Sequence, residues 1–486
     1  MANVSGVIKS IQDIMRKDAG VDGDAQRIGQ LVWMFFLKIL DDKEQELITL
    51  AEINGKPYTS PMPADLRWSS WAINPEGITG ETLLNFINND LFPTLKDLHS
   101  TGQEKARATV IRNVFEDAYN YMKSGTLIRQ AINKLNEIDF NNTDDQHTFG
   151  DIYEQLLKDL QSAGNSGEFY TPRAVTQFMV EMIAPKLKET VLDPACGTGG
   201  FLTHAIDYKA DSDEIKGKDI EILQQSVRGV EKKALPHLLA TTNMMLHGID
   251  VPNNIRHDNT LKRPLKDYGK KDQVDIILSN PPFGGMEEDG IESNFGSFKT
   301  RETADLFLVL IMRLLKKNGR AAVVLPDGTL FGEGIKTRIK EKLLSECNLH
   351  TIVRLPKGVF NPYTSIKTNL LFFTKGEPTK EIWYYEHPYP KGYKSYSKTK
   401  PMRVDEFKAE KEWWNKRVES EQAWRVSIED IKASGYNLDI DNPNTADEGH
   451  GDPVELLAAY EANREKMIKT QGSLKILLEA AFGNGE

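Results

Sequence analysis

The spacing of apolar residues separates the chain into three stretches. In residues 1–145, apolar positions recur every three or four residues, as they do from Ile28 to Ile39, and strand-like alternation is scarce. That period collects the apolar side chains on one face of a helix. We therefore expect an N-terminal helical domain over residues 1–145, serving as an adaptor without chemistry of its own.

The pattern changes after the polar segment 141–145. Between residues 146 and 400, short apolar runs alternate with helical stretches, which is typical of a mostly parallel α/β sheet. A helix is expected over 303–317. Strands are expected at residues 190–193, 228–231, 274–278, 320–325, 350–355 and 369–374.

The third stretch, residues 401–486, is expected to be a helical region used for subunit assembly. A polar linker over 439–452 precedes a long predicted helix from Pro453 to Phe482. Its apolar positions lie three to four residues apart, but Arg464 and Gln471 interrupt them. An interrupted apolar stripe of this kind is typical of a helix that packs on a partner, and not of a regular coiled coil.

Composition narrows the class of protein. The 486 residues are 39% hydrophobic and 27% charged, as in globular proteins of several domains. Two cysteines exclude a disulfide framework and a multi-cysteine zinc site, so we predict no metal site. The first residues lack the apolar core of a signal peptide, and the apolar run from Leu31 to Leu40 is half a membrane span. These features predict a cytoplasmic protein without a membrane segment.

A glycine-rich loop follows the first predicted strand, within Val191–Phe201. Glycines let a ligand approach the backbone closely at the carboxyl edge of a parallel sheet, which makes Asp193 and residues 197–199 candidate ligand contacts. Leu202 stands where a dinucleotide-binding loop carries its third glycine, which argues against a loop of that kind. The sequence of a phosphate-binding P-loop is also absent. The alternative is a structural tight turn.

Glu231 ends the second predicted strand. An acidic side chain at this point suits a ribose, because it accepts hydrogen bonds from both hydroxyls. The 38 residues between Asp193 and Glu231 exceed the usual ~20, and the polar stretch 207–219 absorbs the excess. A solvated carboxylate at a strand end is the alternative.

Asn280, Pro281, Pro282 and Phe283 directly follow the third predicted strand. Consecutive prolines hold the backbone extended and remove two N–H donors. The Asn280 side chain and the Pro281 carbonyl are then two acceptors facing one way, beside an aromatic wall at Phe283. This set suits an exocyclic amino group on a planar ring, whereas the alternative is a simple turn.

A fourth segment, residues 167–174, precedes the glycine-rich loop. Thr171 and Pro172 mark a predicted helix start, with proline at the first helical position. The segment is either a simple helix cap or a loop that lies across a cofactor.

Together these segments resemble the modification subunits of type I restriction–modification systems, the HsdM family. The matching segments are 168–173, 193–201 and 280–283, in the order of the family. The resemblance covers nearly the whole chain. It implies a Rossmann-like S-adenosylmethionine-dependent methyltransferase core with an N-terminal helical domain and a C-terminal helical tail, acting as an N6-adenine DNA methyltransferase.

The resemblance also implies roles by position. Asn280, Pro281, Pro282 and Phe283 would form the catalytic loop. The implied cofactor is S-adenosyl-L-methionine, with Asp193 near its methionine end and Asp258 near its adenine. The other implied cofactor-site residues are Glu168, Phe169, Tyr170, Thr171, Pro172, Arg173, Gly197, Thr198, Gly199 and Glu231.

The partners implied by the resemblance are double-stranded DNA, a specificity subunit that chooses the sequence, and a restriction subunit in the full complex. Two modification subunits would flank one specificity subunit. The alternatives are amino methylation of ribosomal RNA or of protein glutamine, cytosine-N4 methylation of DNA, and a scaffold with an inactive core. Asn280 favours adenine, since cytosine-N4 enzymes usually carry serine there.

Residues 351–400 are locally basic, with nine basic and three acidic residues in a chain of net charge −10. Aromatic residues are interleaved with lysines in this segment. Two interpretations stand: a face that binds the DNA backbone, or a solvated sheet edge with core aromatics. The residues concerned are Trp383, Tyr384, Tyr385, Tyr389, Tyr393, Tyr396, Lys391, Lys394, Lys398 and Lys400.

Overall fold

The computed structural model describes most of the chain, and every structural statement below concerns that part. The described residues are 4–55, 57–102, 104–139, 153, 156, 170–212, 215–283, 285–397, 399–444 and 453–482.

The N-terminal stretch is helical, as predicted. No strand occurs in the described residues between 4 and 139. The apolar residues of the stripe from Ile28 to Ile39 are buried, because the longest of these helices turns that face into a core. The helices are α1 (Val4–Met15), α2 (Asp24–Ile53), α3 (Trp68–Trp71), α4 (Gly80–Asn85), α5 (Phe92–Lys96), α6 (Lys105–Phe115) and α7 (Gly125–Leu135).

A nine-stranded sheet with the order β3-β2-β1-β4-β5-β7-β6-β8-β9 forms the centre of the molecule. Five of its eight strand pairings are parallel, and β7 runs antiparallel between β5 and β6. The strands are β1 (Val191–Asp193), β2 (Val227–Glu231), β3 (Ile255–His257), β4 (Val274–Ser279), β5 (Leu315–Pro326), β6 (Cys347–Leu355), β7 (Thr368–Lys375), β8 (Glu381–Glu386) and β9 (Ala423–Ser427).

Helices cover both faces of the sheet. Successive residues of β4 enter different cores, Ile277 on one face and Ile276 and Leu278 on the other, as the two-residue repeat of a strand requires. The helices are α8 (Arg173–Ile183), α9 (Gly200–Ser212), α10 (Lys218–Gln225), α11 (Ala234–Leu246), α12 (Thr303–Leu314), α13 (Asp327–Phe331), α14 (Ile335–Glu346), α15 (Lys408–Trp414), α16 (Ile428–Ala433) and α17 (Pro453–Phe482). This three-layer arrangement confirms the predicted α/β class.

The N-terminal helices and the sheet share one helix, α11. Leu238, Leu239 and Met245 of α11 belong to the core of the N-terminal helices, whereas Ala240 and Met244 belong to a core of the sheet. The N-terminal helices are therefore packed directly against the layer that covers β2 and β3.

The prediction that residues 401–486 are a helical region is wrong for their first part. The sheet continues past residue 400, where β9 pairs antiparallel with β8 and the Trp424 ring stacks on Tyr384 at 5.3 Å between centroids. The polar, lysine-rich loop between β8 and α15 and the reversal of charge at residue 400 concealed this continuation. The long helix from Pro453 to Phe482 is confirmed as α17.

The aromatic residues of the basic segment belong largely to the core. Tyr384 and Tyr385 are buried on β8, and Tyr396 is buried in the loop that follows. The interpretation as a sheet edge with core aromatics therefore holds for these rings. Lys391, Lys394 and Lys400 are exposed and Lys398 lies outside the described residues, so a DNA-backbone contact stays a prediction for the lysines alone.

Within the described residues, no helix combines the length and the apolar character needed to cross a membrane.

Candidate methyltransferase site

The parallel strands β1, β2 and β4 bring three of the sequence-predicted residues to one edge of the sheet. Asp193 and Glu231 are the last residues of β1 and β2, and Asn280 directly follows β4. Because β1 lies between β2 and β4, the three side chains surround a common space at the carboxyl ends of the strands.

That space is a cavity of about 1020 Å³, counting its open mouth. A volume of this order suits a cofactor or small molecule. Predicted residues from all four segments line it, namely Thr171, Asp193, Gly197, Thr198, Glu231, Asp258, Asn280 and Pro282.

The glycine-rich loop forms one wall through its backbone. Gly197 and Gly199 have φ angles of +53° and +84°, in the region that favours glycine. A Cβ atom on Gly199 would lie 3.1 Å from the methyl carbon of Met244. A hydrogen bond closes the loop, since the Gly199 N–H donates to the Cys196 carbonyl at 2.8 Å. Helix α9 begins at the next residue, Gly200.

Glu231 is held by the backbone of two loops. One carboxylate oxygen accepts from the Gly197 N–H at 3.0 Å and the other from the Lys233 N–H at 2.7 Å. Burial raises the pKa of this carboxyl to about 7, which the two N–H donors oppose. Each oxygen keeps a further lone pair for a ligand in the cavity.

Asp193 is more deeply buried. Its Oδ1 accepts from the Ala195 N–H at 3.1 Å and from the Ser279 hydroxyl at 2.8 Å. Burial raises its pKa to about 7, and the charge of Glu231 acts in the same direction. Two buried carboxylates on one cavity favour a ligand that carries positive charge or hydroxyl donors.

Asp258 occupies the outer part of the same wall. Its N–H donates to the Glu231 carbonyl at 2.9 Å, and its carboxylate accepts from the Asn259 N–H at 2.8 Å. The side chain is exposed at the mouth of the cavity, with Arg256 at 3.9 Å. Unlike Asp193 and Glu231, it is therefore accessible to solvent.

The two ends of the Asn280 side-chain amide differ: the nitrogen has a hydrogen-bond partner, and the oxygen has none among the described residues. Its Nδ2 donates to the Thr171 hydroxyl at 3.0 Å. Its Oδ1 is buried and finds no hydrogen-bond partner in the described part of the chain. Since a buried polar atom without a partner is costly, the free acceptor at the cavity indicates a ligand donor.

Of the other three residues of this loop, only Pro282 lines the cavity. Pro281 is buried, and Phe283 is half-buried. The Phe283 ring meets Phe360 edge-on, with 5.9 Å between centroids and 77° between planes. This contact packs the Phe283 ring against the core on that face of the sheet, so its stacking on a planar ligand stays a prediction.

The structure brings only part of the segment 168–173 to the cavity. Glu168 and Phe169 lie outside the described residues. Of the four described members, Thr171 lines the cavity, whereas Tyr170 is buried in the core of the N-terminal helices. Pro172 is the N-cap residue of α8, so the helix begins at Arg173, one residue later than predicted, and Arg173 is exposed.

Sequence reasoning missed a wall formed by residues 285–287. Lys232 holds it by ion pairs to Glu287 at 3.1 Å and Glu288 at 3.2 Å. Asn259 donates to the same Glu287 carboxylate at 3.3 Å. Their position in the sequence was the one available signal, since Lys232, Asn259 and residues 285–287 follow the ends of β2, β3 and β4. The missed lining residues are Lys232, Lys233, Asn259, Thr260, Gly285, Met286, Glu287, Thr303 and Phe307.

The cysteines are placed for packing. Cys196 and Cys347 are buried free thiols, and burial raises the pKa of Cys347 to about 12 and that of Cys196 well above its usual value. In the part of the chain that was described, no three His, Cys, Asp or Glu side chains form a group able to hold a metal ion.

Comparison with known proteins shows the family of the chain. The family model for N-6 DNA methylases matches residues 144–451, and the model for the HsdM N-terminal domain matches residues 4–135. The methylase subunit of the type I restriction enzyme EcoEI from Escherichia coli is 60% identical over 492 residues, covering 100% of this chain and 99% of its own.

Two solved structures extend the similarity to three dimensions. A type I modification subunit from Vibrio vulnificus YJ016 is 47% identical with a TM-score of 0.81, over 91% of this chain and 96% of its own. A chain from a study of assembly and conformational transition in a type I restriction–modification system is 35% identical with a TM-score of 0.82, over 99% of both chains. The protein therefore belongs to the family of type I restriction enzyme methylase subunits and is a DNA methyltransferase of the N6-adenine class.

Proposed function

We propose that the cavity binds S-adenosyl-L-methionine and that an adenine turned out of duplex DNA enters beside it, over the Asn280 loop. The observation that carries this proposal is the buried Oδ1 of Asn280, which has no partner among the described residues. A single acceptor aimed at the cavity, next to a half-buried phenylalanine, matches the amino group of a planar base.

The residues present fit the cofactor. The positive-φ glycines leave the backbone open to close approach, and the two carboxylates of Asp193 and Glu231 face the same cavity. We assign the Glu231 oxygens to the ribose hydroxyls, Asp193 to the methionine end and Asp258 to the adenine end. When bound, the cofactor supplies a methyl group activated by the positive charge on its sulfur.

The chain's contribution to the chemistry is mainly positioning. The target adenine must leave the stack because its amino group is otherwise paired in the duplex. Asn280 Oδ1 and the Pro281 carbonyl then accept the two amino hydrogens, which aims the nitrogen lone pair at the methyl group, and Phe283 stacks on the ring. No strong base is needed, because the nitrogen loses a proton readily once it carries the new methyl group.

The proposed assembly has two such chains flanking one specificity subunit, with a restriction subunit joining the full complex. The support is α17, a helix of 30 residues with apolar side chains that are more than half exposed. Exposed apolar surface of this kind marks a site for a protein partner. These side chains are Leu457, Tyr460, Met467, Ile468 and Leu474. We place catalysis in the sheet, including β9, and assembly in residues 453–482.

The test is methyl transfer by the assembled complex. Asn280→Ala should abolish incorporation of labelled methyl groups into DNA while cofactor binding stays within about twofold, because Asn280 is assigned to the base. Full transfer by Asn280→Ala with the cofactor bound would refute the proposal.

A further inference from the structure

We infer that Thr171 is a positioning residue for the target base: its hydroxyl holds the Asn280 amide so that Oδ1, and not Nδ2, faces the adenine amino group. The inference rests on the proposed function of the Asn280 loop. It gives Thr171 a different task from the cofactor contact that the family resemblance implies.

The two ends of the amide are treated differently by the fold. Nδ2 donates to Thr171 Oγ1 at 3.0 Å, whereas Oδ1 is buried without a partner in the described residues. The oxygen and nitrogen of an amide are similar in size, so rotation by about 180° about the last side-chain bond exchanges them without a large steric change. After that rotation an N–H would oppose the amino hydrogens of the base. The Thr171 hydroxyl opposes the rotation because the bond to Nδ2 has to break before the hydroxyl can turn and donate to Oδ1 instead.

Thr171 can do this because its own position is fixed. Pro172 follows it, and the Pro172 carbonyl accepts from the N–H groups of Val175 and Thr176 in the first turn of α8. Thr176 Oγ1 lies 3.0 Å from His204 Nδ1, which ties α8 to α9.

The other end of α8 is also anchored. Arg320 of β5 donates to the carbonyls of Ile183 at 2.8 Å and Ala184 at 2.9 Å, and it pairs with Glu189. The bond between Thr171 and Asn280 therefore joins two rigid parts of the fold, although the residues are 109 positions apart.

A positioning residue and a cofactor contact differ in what their removal changes. Loss of amide orientation slows methyl transfer once DNA and cofactor are bound, whereas loss of a cofactor contact weakens cofactor binding. Thr171→Val keeps the shape and removes the hydroxyl, and Thr171→Ser keeps the hydroxyl. The two variants thus separate hydrogen bonding from packing.

The experiment uses the complex with its specificity subunit and measures single-turnover methyl transfer and, separately, the dissociation constant for S-adenosyl-L-methionine. We expect Thr171→Val to slow transfer about 3- to 10-fold, the effect of one lost hydrogen bond. Its cofactor dissociation constant should stay within about twofold, and Thr171→Ser should transfer at a rate near that of the wild type.

A double-mutant cycle completes the test. In an Asn280→Ser background there is no amide to orient, so adding Thr171→Val should cost nothing further. An equal loss in both backgrounds, an unchanged rate in Thr171→Val alone, or a loss explained by weaker cofactor binding would each overturn the inference. A wild-type rate in Asn280→Ala would instead refute the function proposed for the loop, so the two failures are distinguishable.

Discussion

The Ser279 hydroxyl donates a 2.8 Å hydrogen bond to the carboxylate of Asp193. Ser279 ends β4 immediately before the Asn280 loop, and Asp193 ends the neighbouring strand β1 before the glycine-rich loop. This bond links the wall assigned to the cofactor with the loop assigned to the base. Since transfer depends on the distance between donor and acceptor, the bond acts where positioning matters most.

Ser279→Ala should shift the pH dependence of methyl transfer upward. The hydrogen bond lowers the pKa of Asp193 against the effect of burial, so its removal raises that pKa further above about 7. Asp193 is then ionised only at higher pH, and transfer near pH 7 falls while transfer near pH 9 recovers. A pH–rate profile under single turnover measures the shift. Ser293→Ala, at an exposed serine, is the matched control and should leave the profile unchanged.

Asp193→Asn should stabilise the ligand-free protein at alkaline pH. The folded-state pKa of about 7 lies above the ordinary value of 3.8, so the protonated form favours folding and this stability is lost as the pH rises through about 7. Asparagine removes the buried charge and keeps an oxygen acceptor for Ala195 and Ser279.

The thermal midpoint of Asp193→Asn should therefore exceed that of the wild type at pH 8. The gain in free energy of unfolding is roughly 4 kcal/mol at most, the value that corresponds to a pKa raised from 3.8 to about 7. The two midpoints should be equal near pH 4. An equal increase in the thermal midpoint at pH 4 and at pH 8 would contradict the conclusion that Asp193 is a buried carboxylate whose protonation is linked to folding. Methyl transfer by this variant should be strongly reduced at pH 8, because the charge assigned to the methionine end is lost.

Gly199→Ala should weaken cofactor binding. A φ of +84° costs a residue with a side chain about 1–2 kcal/mol, and the added Cβ would press on Met244 at 3.1 Å. Titration calorimetry with S-adenosyl-L-methionine should show a loss of about tenfold or more. Gly248→Ala is the control, because Gly248 has a similar φ of +83°, lies outside the cavity lining and has nothing within 4 Å of the added Cβ; it should bind nearly as the wild type.

Charge on the apolar residues of α17 should prevent assembly and spare the catalytic site. Replacing Leu457, Tyr460 and Met467 by glutamate removes the exposed apolar surface that we assign to a partner. Size-exclusion chromatography with the specificity subunit should then show separate components. Alanine at Glu461, Arg464 and Lys469, which are also exposed on this helix, should leave assembly intact. Failure of cofactor binding in the glutamate variant would contradict the separation of the two functions.

Much of the fold was predictable because its signals are local. All six predicted strands are present, and the predicted helix over 303–317 ends at Leu314 because β5 begins at the next residue. Strands β3, β8 and β9 escaped prediction. In β8, the run Trp383 to Tyr385 lies in a basic segment and lacks the aliphatic composition of the central strands.

The candidate site was predictable where residues follow strand ends, and not where distant segments meet. Glycines and prolines restrict the backbone in ways that can be recognised from the sequence. The loops at Gly197 and Asn280 could be predicted for this reason. The hydrogen bonds of Thr171 to Asn280 and of Ser279 to Asp193 span 109 and 86 positions, so they depend on the packing of whole elements. The raised pKa values of Asp193 and Glu231 likewise arise from burial, which exists only in the folded chain.

We propose above that the Asn280 loop presents an adenine amino group for methylation. The most direct measurement digests DNA treated with the assembled complex and a labelled methyl donor to nucleosides, and identifies the labelled base. We expect label in N6-methyladenine for the wild type and none for Asn280→Ala. Label in N4-methylcytosine, label only in RNA or protein, or undiminished N6-methyladenine from Asn280→Ala would contradict it.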